Sequence, residues 1–420
     1  MALILPEDLD DVQAGMTPFG DINLKITRTT PLRPNEKKEE ESSAPFYVLE
    51  PLAEMQRLAL LEEIAADAAA NANSIAKMVA ALDKFIDGVR SRGLGKESTK
   101  SGKEAGANWI KSAKISRDWL ASDPTKYKCP SPIFVKGNIK LPYWAFSALP
   151  AVTCPFAGSC LKAEDGGRGW CYSFRGWRYP ATFFRQFNLT VLMRLPEKWQ
   201  IIEAIEKIVR LMKKQGQTST VVRLYVDGDI DSLRTLRFWM ETLMKYPMIK
   251  AYGYSKSWPI FLEYDKKYNG EWPKNYVLNL SSGSKNDGNR DMIDAMMKLP
   301  ITRERFMAVP IPKMKRVVKT KKGTVEKLAK IPPNLIDTDL LTEKQRAVFD
   351  EEGEIPKNIP EKAFKRNPVY KAAVEAAMAE KYPNQTKFFV CPNKCGNCLG
   401  FGKHACGQID LDRPIVIGIH

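Results

Sequence analysis

Cysteine is the residue in this chain best suited to do chemistry. Four of the eight cysteines fall within residues 391–406, as Cys391-x3-Cys395-x2-Cys398-x7-Cys406. Gly396, Gly400 and Gly402 interleave them, and glycine lets a backbone curl tightly enough for several sulfurs to converge. Thiolates so spaced suit a soft metal, either tetrahedral zinc or an iron–sulfur cluster. A second group, Cys154-x5-Cys160-x10-Cys171, lies among Pro155, Phe156, Gly158, Trp170, Tyr172 and Phe174. An apolar shell of that kind keeps water from a cluster and tunes its potential. Cys129 stands alone.

The Cys391-x3-Cys395-x2-Cys398 spacing is also that of radical S-adenosylmethionine enzymes, in which three thiolates leave one iron of a [4Fe–4S] cluster open to the cofactor. Here the motif sits late in the chain, Asn397 takes the place of the usual aromatic, and Cys406 offers a fourth ligand that would close the site. The chain has only two histidines, so zinc would need nearly all-cysteine coordination, with His404 as the exception. The expectation is that Cys154, Cys160, Cys171, Cys391, Cys395, Cys398 and Cys406 hold one or two [4Fe–4S] clusters, with zinc as the alternative. Sulfurs distant in sequence would then stitch the end of the chain to its middle.

Three further constellations accompany the sulfurs. Asp227, Asp229 and Asp231 alternate after a run of β-formers, with Gly228 between the first two. They suit Mg²⁺ for DNA nicking, with Asp229→Ala then removing cleavage and sparing the fold. They suit helix capping by Asp231 or Ser232 equally well. Tyr252-Gly253-Tyr254-Ser255-Lys256-Ser257-Trp258 offers hydroxyls, an amine and aromatic faces to a phosphate, base or nucleotide-like cofactor. Leu280-Ser281-Ser282-Gly283-Ser284 offers small donors to an anion. Candidate catalytic residues are Asp229, Asp227 and Lys256; candidate cofactor contacts are Gly228, Asp229, Ser255 and Ser282.

Secondary-structure periodicity places these runs at strand ends. Strands are expected at Thr220 to Val226, Lys250 to Tyr254, Tyr276 to Leu280, Arg305 to Val309, Phe388 to Val390 and Ile415 to Ile419. Helical patterns lie between them, one ending at Gly216 and others carrying Leu233 to Leu243, Asp291 to Lys298 and Val369 to Lys381. Alternating strands and helices imply an α/β fold, a partial or complete (β/α) barrel-like core or an open sheet, with function at the C-terminal ends of the strands. Residues 1–50 read as loosely ordered. Residues 51–123 read as a helical extension with a Gly, Ser and Lys linker at 91–107. Residues 124–420 form the metal-binding core, with a basic insertion at 311–385.

The chain carries 65 basic and 49 acidic residues, a net charge of +16. Such an excess points to nucleic acid or another anionic surface. Lys313, Lys315, Arg316, Lys319, Lys321 and Lys322 concentrate it in one expected hairpin that could contact phosphates. No run reaches the roughly 20 apolar residues of a membrane span. No export signal opens the sequence, so a cytoplasmic location with reduced thiols is expected.

Thr153-Cys154-Pro155, Cys160, Cys171-Tyr172, Arg223, Gly228-Asp229, Tyr252, Tyr254-Ser255-Lys256-Ser257 and the terminal cysteines together resemble the phage gene product 88 family. The resemblance spans roughly residues 130–420. It implies a protein of phages, plasmids and other mobile elements, in the cytoplasm of a host cell. It also implies metal binding, a radical-SAM-like α/β core and a role in nucleic-acid metabolism such as DNA replication. The combined expectation is an iron–sulfur, nucleic-acid-associated protein, with DNA favoured over RNA. The alternatives are a radical-SAM-like enzyme using S-adenosylmethionine, a Mg²⁺-dependent nicking enzyme and a zinc-stabilised accessory module.

Overall fold

The structure, a computed structural model of the chain, describes residues 72–92, 100–136, 143–161, 170–320, 323–352, 359–393, 398–399 and 404–419. The reading of residues 1–50, the helical pattern before residue 72, and Cys395, Lys321 and Lys322 lie outside these.

Two helices, α1 (Ala72–Arg92) and α2 (Lys100–Ala121), pack on each other. Met78, Leu82, Phe85, Ile86 and Val89 bury one stripe of α1, and Trp109, Ala113, Ser116 and Leu120 answer from α2. Arg117 reaches Asp83 across the pair at 3.0 Å. The linker expected at 91–107 is therefore corrected, because the chain is helical from Lys100. Its inward positions include Gly106 and Ser116, which carry little hydrophobic signal, so the period is hidden.

An α/β core follows. The short strands β1 (Val135–Lys136) and β2 (Trp144–Ala145) lead to α3 (Pro180–Arg194) and α4 (Trp199–Lys214). Then come β3 (Thr220–Leu224), α5 (Leu233–Lys245), β4 (Ile249–Ser255), α6 (Trp258–Lys267), β5 (Tyr276–Ser281), α7 (Arg290–Met297) and β6 (Thr302–Pro310). The insertion contributes a hairpin of β7 (Met314–Thr320) and β8 (Gly323–Ala329). Beyond it lie β9 (Asn334–Ile336), α8 (Glu343–Glu352), β10 (Phe364–Arg366) and α9 (Pro368–Lys381). The last strands are β11 (Phe389–Val390) and β12 (Ile415–Ile419).

Caps explain several helix starts. Ser232 Oγ accepts from Thr235 N at 3.2 Å to open α5, and Asn289 Oδ1 accepts from Met292 N at 3.0 Å to open α7. Asn367 does the same for α9, which begins at a proline. Each satisfies a backbone N–H that the first turn leaves without an intrahelical partner.

Eight of the described strands form one sheet in the order β1-β2-β3-β4-β5-β6-β12-β11, and β7 with β8 and β9 with β10 make two separate two-stranded sheets. In the larger sheet all neighbours are parallel except β1 and β2. The sheet is open, not a closed barrel. After β6 the chain leaves through the insertion and returns as β12, which pairs β6 on one side and β11 on the other.

Strand alternation divides the sheet into two faces. Val222, Leu224, Ala251, Leu278 and Leu280 join the main core with the helices. Met307, Val309 and Val416 pack with Tyr370, Val374 and Met378 of α9. The opposite face carries Val221, Tyr252, Tyr254, Val277, Phe306 and Ile415, against Ala405, Cys406 and Leu411. Asn279 Nδ2 donates to Cys406 O at 2.9 Å. The buried guanidinium of Arg303 donates to Leu411 O at 3.3 Å and Arg413 O at 2.9 Å. The late segment is thus moored across the face that the helices leave free.

Candidate metal centre

The centre is built where β3, β4 and β5 end. Tyr225 leaves β3 with φ 54, in the left-handed region. Its buried hydroxyl accepts from Trp239 Nε1 at 3.2 Å, and its ring meets Phe146 and Trp239. That packing holds a backbone conformation costing on the order of 1 kcal/mol. Gly228 follows at φ 77, and a Cβ there would lie 2.5 Å from Thr153 Oγ1 and 3.0 Å from Ala148 O. Thr153 Oγ1 donates to Leu149 O and accepts from Asp229 N at 3.1 Å. The residue before Cys154 is therefore fastened to the turn after β3.

Asp229 is 3% exposed. Its Oδ1 accepts from Ser255 Oγ and from Ile230 N, and its Oδ2 accepts from Lys256 N, each at 2.7 Å. Burial raises this carboxyl above its ordinary range, against the pull of Lys256 and these donors. Lys256 Nζ donates to Ser281 Oγ at 2.8 Å and lies 5.9 Å from the centroid of Trp170. Burial would push the ammonium down, but Cys160, Asp229, Cys154 and Cys171 outweigh it and hold it above the ordinary lysine range.

Cys154, Cys160 and Cys171 share this field. Burial carries the Cys154 thiol well above its usual range, with Asp229, Cys160 and Cys171 adding to the rise and Lys256 opposing it. Cys160 is pushed up to about 12, again chiefly by burial and against Lys256. Cys171 rises for the same reason. Cys171 N donates to Cys160 O at 2.8 Å, and Gly158 N to Gly283 O at 2.7 Å. Gly283, at φ 81, lies against this loop, where a Cβ would fall 2.8 Å from Cys160 Cβ and 2.7 Å from Trp170 Cζ2. Asp287 Oδ2 accepts from Gly283 N and fixes the turn.

Cys154, Cys160, Cys171, Asp229 and Lys256 thus share one electrostatic neighbourhood, with Ser255 and Gly228 beside Asp229, without the sulfurs converging on one point. The structure separates the three aspartates. Asp231 takes Thr235 Oγ1 at 2.7 Å and lies 3.5 Å from the buried Arg194, whereas Asp227 lends its charge to the surroundings of Cys171. Asp229 accepts protein hydrogen bonds on both oxygens and holds the turn together. Ser282 also departs from expectation, since its hydroxyl accepts from Ala308 N at 2.8 Å on β6. Its neighbour Ser281, inside the same Ser-Ser-Gly-Ser run, is the one that meets Lys256. Asp287 carries no sequence signal, because its role emerges only when the loop folds back.

Of the late cysteines, Cys391, Cys398 and Cys406 share one apolar cluster with Tyr252, Tyr254 and Phe306. Asn393 N points at Cys391 Sγ at 3.4 Å and Ala405 N at Cys398 Sγ at 3.2 Å, donors of the kind that tune metal-bound thiolates. This cluster lies apart from the core that holds Cys154, Cys160 and Cys171. Among the described residues, no three His, Cys, Asp or Glu side chains are drawn together to hold one metal ion. His404 is 8% exposed and burial pushes its imidazole down to about 4.

Lys313 and Lys315 are exposed at the start of the β7–β8 hairpin, and Lys315 lies 3.6 Å from Glu326. Arg316 and Lys319 fall within β7.

Two predictions arise here. Gly228→Ala lowers stability by about 1–3 kcal/mol, strain and collision combined. Gly216→Ala, at φ 68 with nothing within 4 Å, carries only the backbone cost of about 1 kcal/mol. Thermal melts showing equal losses would remove the steric argument. Cys129, pushed up to about 11 by burial from a usual 9.0, stays protonated at pH 8. Its stabilising neutrality is present below pH 9.0 and fades as pH rises through about 11. Alkylation by iodoacetamide at pH 8 should be about 100-fold slower than in the unfolded chain, and equal rates would contradict it.

No curated protein and no solved structure matches the chain. A family model described as Gene product 88 matches residues 113–353, taking in Cys129, Cys154, Cys160, Cys171 and the three strand ends, and stopping before Cys391. No helix among the described residues is long and apolar enough to cross a membrane. By this match over more than half its length, the chain belongs to the phage gene product 88 family.

Proposed function

We propose that Cys154, Cys160 and Cys171 hold an iron–sulfur cluster with one iron left open toward Gly228, Asp229 and Ser255, in a protein that works on nucleic acid. One observation supports the reading: the buried Cys160 and the half-buried Cys154 and Cys171 share a field with one ammonium at the C-terminal ends of parallel strands. Thiolate-ligated clusters carry negative charge, and Lys256 is placed to compensate it. Asp229 in turn fixes Lys256 by its backbone, while Trp170 and Gly283 shield Cys160 from water. When bound, the cluster supplies one-electron chemistry, and a small cofactor such as S-adenosylmethionine would complete the open iron. Cys391, Cys395, Cys398 and Cys406 are proposed as a second, separate metal site that pins the late segment, with zinc or a cluster as its metal. The test is iron, zinc and acid-labile sulfide analysis of the protein isolated without oxygen. Zinc with no sulfide would leave the accessory-module reading in its place.

The nucleic-acid part rests on the net charge of +16 and on a hairpin that stands outside the main sheet. DNA is the expected partner, in replication or processing within a host cell. Affinity for a short duplex or single strand should fall steeply with salt. Reversing the charge at Lys313, Lys315, Arg316, Lys319, Lys321 and Lys322 should reduce the log–log slope by about 0.9 for each phosphate left without its cation. An unchanged slope would move the phosphate-binding surface elsewhere, and no binding at low salt would end this part of the reading.

A further inference from the structure

A cavity of about 500 Å³ opens at the other end of the strands, remote from the cysteine loop. It lies where β4 and β5 begin and the segment 404–409 crosses the sheet. That volume falls within the usual range of small-molecule sites. Its walls are mostly apolar, among them Tyr252 and Trp272. Trp272 is held still, with Nε1 donating to Asp265 Oδ1 at 2.6 Å and its ring stacked on Phe261. Lys250 and Lys274, both exposed, also line it.

His404 lines the cavity. Its ring is clamped between Tyr143 and Tyr252, at 4.7 and 4.8 Å between centroids. Nδ1 meets Tyr143 Oη at 3.0 Å. Nε2 is buried and has no hydrogen-bond partner among the described residues. Leaving such a group unsatisfied is costly, and a ligand that pairs it recovers that cost. Gly407 lets the chain pack against the ring, since a Cβ there would fall 2.3 Å from Nε2. Its φ is not in the left-handed region, so proximity to the imidazole, not backbone conformation, is what requires glycine.

The geometry points to a binding site for a small organic anion, one with an apolar body and a phosphate or carboxylate near His404, Lys250 and Lys274. The site is independent of the Cys154, Cys160 and Cys171 centre, while its His404 and Gly407 wall brackets Cys406 of the late cysteine group.

Calorimetric titration of the full-length protein, isolated without oxygen, tests it. The probes are adenosine 5′-monophosphate and indole-3-acetate, with adenosine, indole and inorganic phosphate as controls that carry one half of the recognition each. At least one anion should bind below about 1 mM, and its controls more weakly. Which anion wins distinguishes phosphate from carboxylate. Lys274→Glu and Lys250→Glu, both at exposed positions, should weaken binding roughly fivefold each. His404→Phe should weaken it roughly tenfold with circular dichroism unchanged. Failure of both anions to bind below about 5 mM overturns the proposal. So does binding that survives all three variants. A bound zinc lost in His404→Phe would put Nε2 on a metal and overturn it equally.

Discussion

Serine at Cys154, Cys160 and Cys171 together should strip iron and sulfide from the anaerobically isolated protein if the proposed cluster sits there, while serine at Cys129 should leave both in place. The contrast follows from surroundings, since all four are cysteines in partly or fully buried positions. Cys129 is tied into the α4 side of the core, its N–H donating to Gln200 Oε1 at 2.6 Å. The other three feel one another and Lys256. Lys256→Met should keep all three ligands and still weaken cluster retention by about 10–100-fold, as loss of a supporting group does at other metal sites. Iron and sulfide assays with visible spectra read both effects. Full metal content in the triple variant would leave the late cysteines as the only cluster ligands, and the proposal for the strand-end site would fall.

Asp229→Ala should lower folding stability by about 1–3 kcal/mol, the range for leaving buried donors without their acceptor. It deprives Ser255 Oγ, Ile230 N and Lys256 N of their acceptor and removes one negative charge from the surroundings of the half-buried Lys256 ammonium. Asp229→Asn keeps an acceptor and should cost less. Adding Lys256→Met to Asp229→Ala should cost less than the sum of the two, by about 1–3 kcal/mol, because the first change has already broken the shared network. Urea unfolding monitored by tryptophan fluorescence gives these values. An unshifted midpoint in Asp229→Ala would show that the turn does not depend on it. This outcome differs from the expectation for a free Mg²⁺ ligand, whose removal should spare the fold.

Much of the sheet is legible in the sequence because its strands carry β-branched and aromatic runs between helical periods. Ile415–Ile419 reads to the residue, and the other core strands to within a few positions. The stretch of α2 from Trp109 to Leu120 is legible as a short helix, but its first turns from Lys100 escape such a reading because they are rich in Gly, Ser and Lys and the buried Gly106 is weakly hydrophobic. α3 gives little period because Gln186, Asn188, Thr190 and Arg194 are buried along with its apolar residues. The position of β12 between β6 and β11 is illegible, since no local pattern encodes which open edge a returning strand selects. Within the site, residue types flag the strand ends, but only three-dimensional proximity separates Ser281 from Ser282, and Asp229 from Asp231.

The insertion of β12 beside β6 has a consequence for biogenesis. During synthesis β6 emerges with residues 311–414 still to be made before its neighbour exists. Throughout that interval a nascent chain presents an unsheltered strand edge lined by Phe306, Met307 and Val309, a template for mispairing with other polypeptides. Conditions that slow translation through the insertion should therefore shift the yield toward aggregates, and ribosome-associated chaperones should matter more for this protein than its finished stability would suggest.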